Sequence, residues 1–249
     1  MQRDCLWLFG RGASIANGLS WAVPIECIDD LIEGRISREE HQSLIIETVR
    51  QEMQNSSVHC RPYRRLLNFM ANRTVGGGSH RLVTTNWDYL LQLEVEAWIA
   101  VNKPGYAPWF LSTHSSVLHL NGTAEPGASP YRSPFLLETD AADYRTNTIE
   151  ANKAFNDLLW STLVVIIGMS FECDIDKGLL ASLHAHEDNM PIGEALFLVV
   201  DPFKGTLDNI ARKISRYFPR ANVQLVNSGL EEWVDTGMPE LVGRIFDQP

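Results

Sequence analysis

The chain has 249 residues, 45% of them hydrophobic and 21% charged, which is enough apolar mass for a core and excludes disorder as its main state. Its 31 acids against 21 bases give a formal net charge of −10, which argues against a broad nucleic-acid surface but leaves room for a pocket around one phosphate-bearing ligand. The four cysteines, Cys5, Cys27, Cys60 and Cys173, form no C-x-x-C pair, so a four-thiolate zinc module is excluded and reduced intracellular thiols are expected.

No basic segment followed by a long apolar stretch opens the sequence, and no window reaches the roughly 18 apolar residues of a bilayer span. The expectation is a cytoplasmic protein with no membrane partner and no metal.

Cys5-Leu-Trp-Leu-Phe9 is a short apolar run ending at Gly10, and it reads as a buried strand feeding a glycine turn. The stretch at about 25–73 then reads as all helical. Ser37-Arg-Glu-Glu40 is a capping box. Leu44, Ile45, Thr48 and Val49 supply an apolar stripe, and Pro62 suits the first turn of another helix. Gly76-Gly-Gly-Ser79 returns the chain to strand rhythm at Arg81-Leu-Val-Thr-Thr85. Residues 86–100 place Leu90, Leu91, Val95 and Trp98 at helical spacing.

Val117-Leu-His-Leu-Asn121 reads as the next strand, followed by a Gly-, Pro- and Ser-rich stretch from Gly122 to Tyr144 with the character of a long surface loop. Leu163-Val-Val-Ile-Ile167, Ala195–Val200 and Val223–Val226 are three more strands. Leu207, Ile210, Ala211, Ile214 and Phe218 share one helical face between the last two. Continuously apolar strands alternating with helices predict an α/β protein. The expected fold is a Rossmann-like, doubly wound parallel sheet of about six strands. It forms a single domain over 1–249, with the helical insertion after the first strand.

Five constellations stand at the ends of these strands. Gly10-Arg-Gly12-Ala-Ser14 offers backbone amides and a helix N-terminus to a phosphate; a tight turn without a ligand reads equally well. Thr84-Thr85-Asn86-Trp87-Asp88 places a donor–acceptor amide and an acid where open α/β sheets bind ligands, though both are also helix-capping types. Leu118-His-Leu-Asn-Gly122, Gly168-Met-Ser170 with Asp174, and Asp201-Pro202 complete the set. Asp29 and Asp30 fall in a helical pattern, so the strand-end acid of an ordinary dehydrogenase is not in place, and no Tyr-x-x-x-Lys pair occurs.

Taken in this order, the five resemble the sirtuin-like family over residues 5 to about 230. The resemblance is closest to the bacterial sirtuin-like NAD hydrolases of antiphage defence. The zinc-containing lysine deacylases are less similar, since they carry Gln-Asn-Ile-Asp where this chain has Thr85-Asn86-Trp87-Asp88. The resemblance implies a sirtuin-like NAD-binding domain whose ligand is NAD or ADP-ribose. Gly10, Gly12 and Ser14 would hold the pyrophosphate. Asn86 would contact the nicotinamide-side ribose, and Asp88 would line the nicotinamide end. Gly168, Ser170 and Asp201 would address the adenosine half. A branched side chain at Gly12 is then expected to block the pyrophosphate and leave the fold intact. The resemblance also implies a homo-oligomer, or a separate sensor chain, as partner.

One departure bears on catalysis. Aligned on Gly122, the family histidine falls on Asn121, and an amide cannot act as a general base. His119 lies two residues earlier, about 6.6 Å along a strand and on the same strand face. It is the alternative base. Two readings therefore stand: an NAD glycohydrolase, or a catalytically impaired sensor or structural subunit. Among the remaining residues, His184 and His186 fall on opposite helix faces and read as surface histidines. Cys173 reads as structural. Arg61, Arg64 and Arg65 read as a solvated helix face.

Overall fold

The computed structural model describes residues 5–19, 25–54, 58–73, 80–102, 117–126, 137, 158–185 and 190–242. Strand β1 (Cys5–Phe9) is followed by helix α1 (Arg11–Ala16) and then by three helices in succession, α2 (Ile25–Ile32), α3 (Arg38–Met53) and α4 (Arg61–Arg73). Next come β2 (His80–Thr84), α5 (Leu90–Asn102), β3 (Leu118–His119) and β4 (Leu163–Ile167). The order continues with α6 (Asp174–Ala185), a 3-10 turn (Pro191–Glu194), β5 (Leu196–Asp201), α7 (Lys204–Tyr217), β6 (Asn222–Asn227), α8 (Leu230–Asp235) and α9 (Pro239–Val242).

The strands form one parallel six-stranded sheet in the order β3-β2-β1-β4-β5-β6. The fold is thus Rossmann-like and doubly wound, as the apolar strand runs predict. Alternate side chains explain those runs, because both faces of the sheet are covered. Trp7, Phe9, Val165 and Ile167 pack against Tyr63, Leu66, Leu67 and Met70 of α4, Leu91 and Val95 of α5, and Trp233 of α8. Leu6, Leu8, Val164 and Ile166 pack on the opposite face with Leu179 and Leu183 of α6 and Leu207, Ile210 and Ile214 of α7. Each such fully buried apolar side chain contributes about 1.5–3 kcal/mol.

Among the described residues, the elements between β1 and β2 are all helices, as expected. Ser37 caps α3 with both halves of the box in place: its side chain accepts from the Glu40 N–H, and the Glu40 carboxylate accepts from the Ser37 N–H. The buried stripe of α3 is His41, Ile45 and Val49, while Leu44 is exposed. Ile45 and Val49 join Leu31, Ala124 and Leu137 in a third cluster, so the inserted helices rest on the segment after β3. Arg50 Nε donates to the Ala124 carbonyl at 3.0 Å.

Expectations differ in detail at two places that bear on the site. β3 is only two residues long, because the chain turns after Leu120 and Gly122 takes φ +84°. α5 begins at Leu90 rather than at residue 86, because Asn86 and Asp88 spend their side chains on a turn. The Gly76–Ser79 connection and most of the 122–144 stretch lie outside the described residues.

Candidate functional site

The chain runs outward from β1 through β2 to β3, then crosses back to β4 on the other side of β1. Ligands of open α/β sheets bind at such a reversal, beyond the carboxyl ends of the strands. The register holds those ends flush, with Phe9 opposite both Thr84 and Ile167. The turns after β1, β2 and β4 therefore meet there.

The glycines at this junction pack backbone on backbone. A Cβ on Gly10 would lie 2.6 Å from Met169 Cα, one on Gly12 2.8 Å from Gly168 Cα, and one on Gly168 2.5 Å from the Ala13 nitrogen. Gly168 also has φ +60°, a conformation that glycine adopts without a Cβ penalty. The Gly12 N–H donates to the Gly168 carbonyl at 2.8 Å. A valine at Gly12 thus meets the Gly168 backbone before any phosphate. The expectation that it leaves the fold intact is corrected by this contact.

Behind the glycine turn lies a buried polar cluster that joins Ser14, Asn86 and Asp88. Ser14 Oγ donates to Asp88 Oδ2 at 2.7 Å and accepts from Asn86 Nδ2 at 2.7 Å. Asn86 Nδ2 also donates to the Gly10 carbonyl at 2.9 Å, which spends both amide hydrogens and leaves Oδ1 as an acceptor. Asp88 Oδ1 accepts from the Leu90 N–H at 3.1 Å, so Asp88 caps α5 as well. Thr84 Oγ1 donates to the Phe9 carbonyl and accepts from the Asn86 N–H, tying β2 to β1.

Tyr63, on α4, is buried beside this cluster. Burial, and then the Asp88 charge, holds its phenol well above the usual range, with Ser14 working the other way. Sequence reasoning missed Tyr63. It sits in the inserted helices, far from any strand end, and only its place on the apolar face of α4 could have drawn attention to it.

Asn121 lies beside this cluster and is 4% exposed. Its Nδ2 donates to the Thr85 carbonyl at 3.0 Å, and its own carbonyl accepts from Trp87 Nε1 at 3.1 Å. The first bond fixes the amide orientation. Oδ1 is buried and accepts no hydrogen bond among the described residues. His119 is buried at the end of β3, in register with Thr84. Because β3 stops at His119, strand alternation does not carry its direction on to Asn121.

Ser170 and Asp201 stand on the β4–β5 side. Lys213 Nζ, from α7, donates to the carbonyls of Ser170 and Phe171 at 3.2 and 2.7 Å and holds the turn in which Phe171 has φ +53°. Asp201 ends β5, and its Oδ1 accepts from the Phe203 N–H at 2.9 Å. Burial pushes the Asp201 carboxyl above its ordinary value, and the Phe203 N–H offsets this in part. The side chain of Asp174 lies outside the described residues.

The other polar residues have structural partners. Arg61 pairs with Glu231 and Asp235, Arg65 with Asp235, and Arg64 with Glu94, so these arginines tie α4 to α8 and α5. Cys60 is held up to about 12 by burial first and then by Glu94, which makes it a poor nucleophile. Cys173 Sγ accepts from the Asp176 N–H at the start of α6. His184 is exposed and packs edge-on against Tyr217 and Phe218, while His186 lies outside the described residues.

Among the described residues, no group of three or more His, Cys, Asp or Glu is placed to hold a metal ion, and no helix is long and apolar enough to cross a membrane. No family model matches the chain, and no curated protein matches it.

Proposed function

We propose that the chain is a sirtuin-like module that binds NAD or ADP-ribose in the crevice above the Gly10–Ser14 turn, with slow or no cleavage of the nicotinamide–ribose bond. The observation that carries this reading is the junction of Ser14, Asn86 and Asp88 behind a glycine turn at the sheet's reversal point. Ser170 and Asp201 follow the next strands along the same edge. Asn86 Oδ1 is an acceptor suited to a ribose hydroxyl. The N–H groups of Gly10, Gly12 and Ala13 donate to the carbonyls of Ile167, Gly168 and Gly10, so a pyrophosphate there would meet the dipole of α1 rather than these amides.

Hydrolysis would break the C1′–N bond, with nicotinamide leaving on the electron pair and water oxygen bonding to C1′. The water proton must go to a base, and general-base help contributes about 10²–10⁴-fold. Asn121 has no titratable group, and its amide is committed to Thr85. That favours binding without efficient turnover, and so a sensor or a subunit of a larger defence assembly.

Incubation of the purified chain with NAD tests both parts. Millimolar NAD or ADP-ribose should raise the melting temperature; no shift and no calorimetric heat with either ligand retires the reading. Release of nicotinamide should be slow in the wild type and faster in Asn121→His. Robust wild-type release abolished by His119→Ala would assign the base to His119 and make the chain an NAD hydrolase.

A further inference from the structure

We infer that Phe203 is the platform on which the base of the bound nucleotide stacks, with the ribose hydroxyls of the same nucleoside on Asp201; the inference rests on the nucleotide reading above. Phe203 leaves 69% of its surface in solvent, whereas Phe9, Phe171, Phe197 and Phe218 are fully buried. Hydrophobic burial therefore does not explain its position. It stands at the carboxyl edge of the sheet, between the end of β5 and the first residue of α7.

The turn that presents it is fixed on both sides. The Phe203 N–H donates to Asp201 Oδ1 at 2.9 Å, and Asn227 Nδ2, from the end of β6, donates to the Pro202 carbonyl at 2.8 Å. Pro202 restricts the backbone between them. The ring thus has little backbone freedom left to lose on binding.

Asp201 is only 7% exposed and spends one oxygen on Phe203. Its second oxygen is the acceptor left for a ligand. A nucleoside carries a flat base and a hydroxyl pair on one sugar ring, and this turn offers a flat apolar face and a carboxylate oxygen two residues apart. A phenyl ring has no donor or acceptor with which to read a base edge. It selects for planarity and accepts any base with a π face. The site is therefore one for a ribonucleoside, with adenine as one admissible base.

Calorimetric titration of the full chain with ADP-ribose tests the platform. Phe203 is exposed, so its replacement should leave the melting temperature unchanged. Phe203→Leu should weaken ADP-ribose binding by at least about fivefold, the low end of what stacking on an aromatic ring contributes. Phe203→Trp should bind as tightly as wild type or tighter, which separates stacking from apolar contact. If wild type binds and Phe203→Leu binds equally well, the platform is wrong and the nucleotide reading stands. If wild type binds neither ADP-ribose nor NAD, both fall together.

Discussion

Of the glycines packed at the sheet's reversal, Gly10, Gly12 and Gly168, the backbone tolerates replacement of Gly168 least. An alanine there needs φ +60° and places its Cβ 2.5 Å from the Ala13 nitrogen and 2.6 Å from Gly12. The left-handed conformation and the overpacking together should cost Gly168→Ala about 3 kcal/mol, read from the urea midpoint. Gly12→Val should also lose stability, since its obstacle is the Gly168 backbone. Asp201 behaves in the opposite sense. Burial raises its folded carboxyl above the ordinary carboxyl value, so between the two values the folded state holds a proton that the unfolded state has released. The charged form then costs stability at neutral pH, and that cost disappears as the pH falls towards 3.8. Asp201→Asn should therefore melt higher than wild type at pH 7, with the difference closing on acidification. The same variant should bind ADP-ribose more weakly, because a neutral acceptor replaces a charged one. Thermal melts across pH and one titration check both halves.

Helix α4 connects the inserted helices to the rest of the molecule through ions as well as apolar packing. Arg64 Nε and Nη2 grip the Glu94 carboxylate at 2.6 and 3.1 Å. The Glu94 side chain is 5% exposed and the Arg64 side chain 63%. Arg64→Ala leaves a buried carboxylate without its fork, and solvent around the arginine moderates the loss to about 2 kcal/mol. Arg64→Lys should recover part of this, since an ammonium cannot bind both oxygens in the plane of a fork. Chemical denaturation of the two variants checks the order. Elements of this kind differ in how far the sequence reveals them. β1 and β4 are readable to the residue, because strands buried on both faces show unbroken apolar runs. The α3 cap is equally readable, because it is local. The short β3 is not, since only Leu118 and His119 find a neighbour in β2 and no local pattern reports that limit.

The same division holds for the whole molecule. Strand-end motifs indicate where the site lies, because the doubly wound topology brings the ends of β1, β2 and β4 to one edge. Sequence cannot reveal that Ser14 spends its hydroxyl hydrogen on Asp88, or that Tyr63 of α4 is buried beside the cluster. Those contacts form across long separations and are settled only by packing. The central position of β1 has a further consequence, for synthesis. Cys5–Phe9 leaves the ribosome before both of its partners, His80–Thr84 and Leu163–Ile167. At ordinary elongation rates the second partner emerges roughly 10–30 s later. Until then Cys-Leu-Trp-Leu-Phe is an uncharged apolar segment with the edge that β4 will cover still open. It is of the type that pairs with other chains, and in the cell it must be kept from doing so until residue 167 is made.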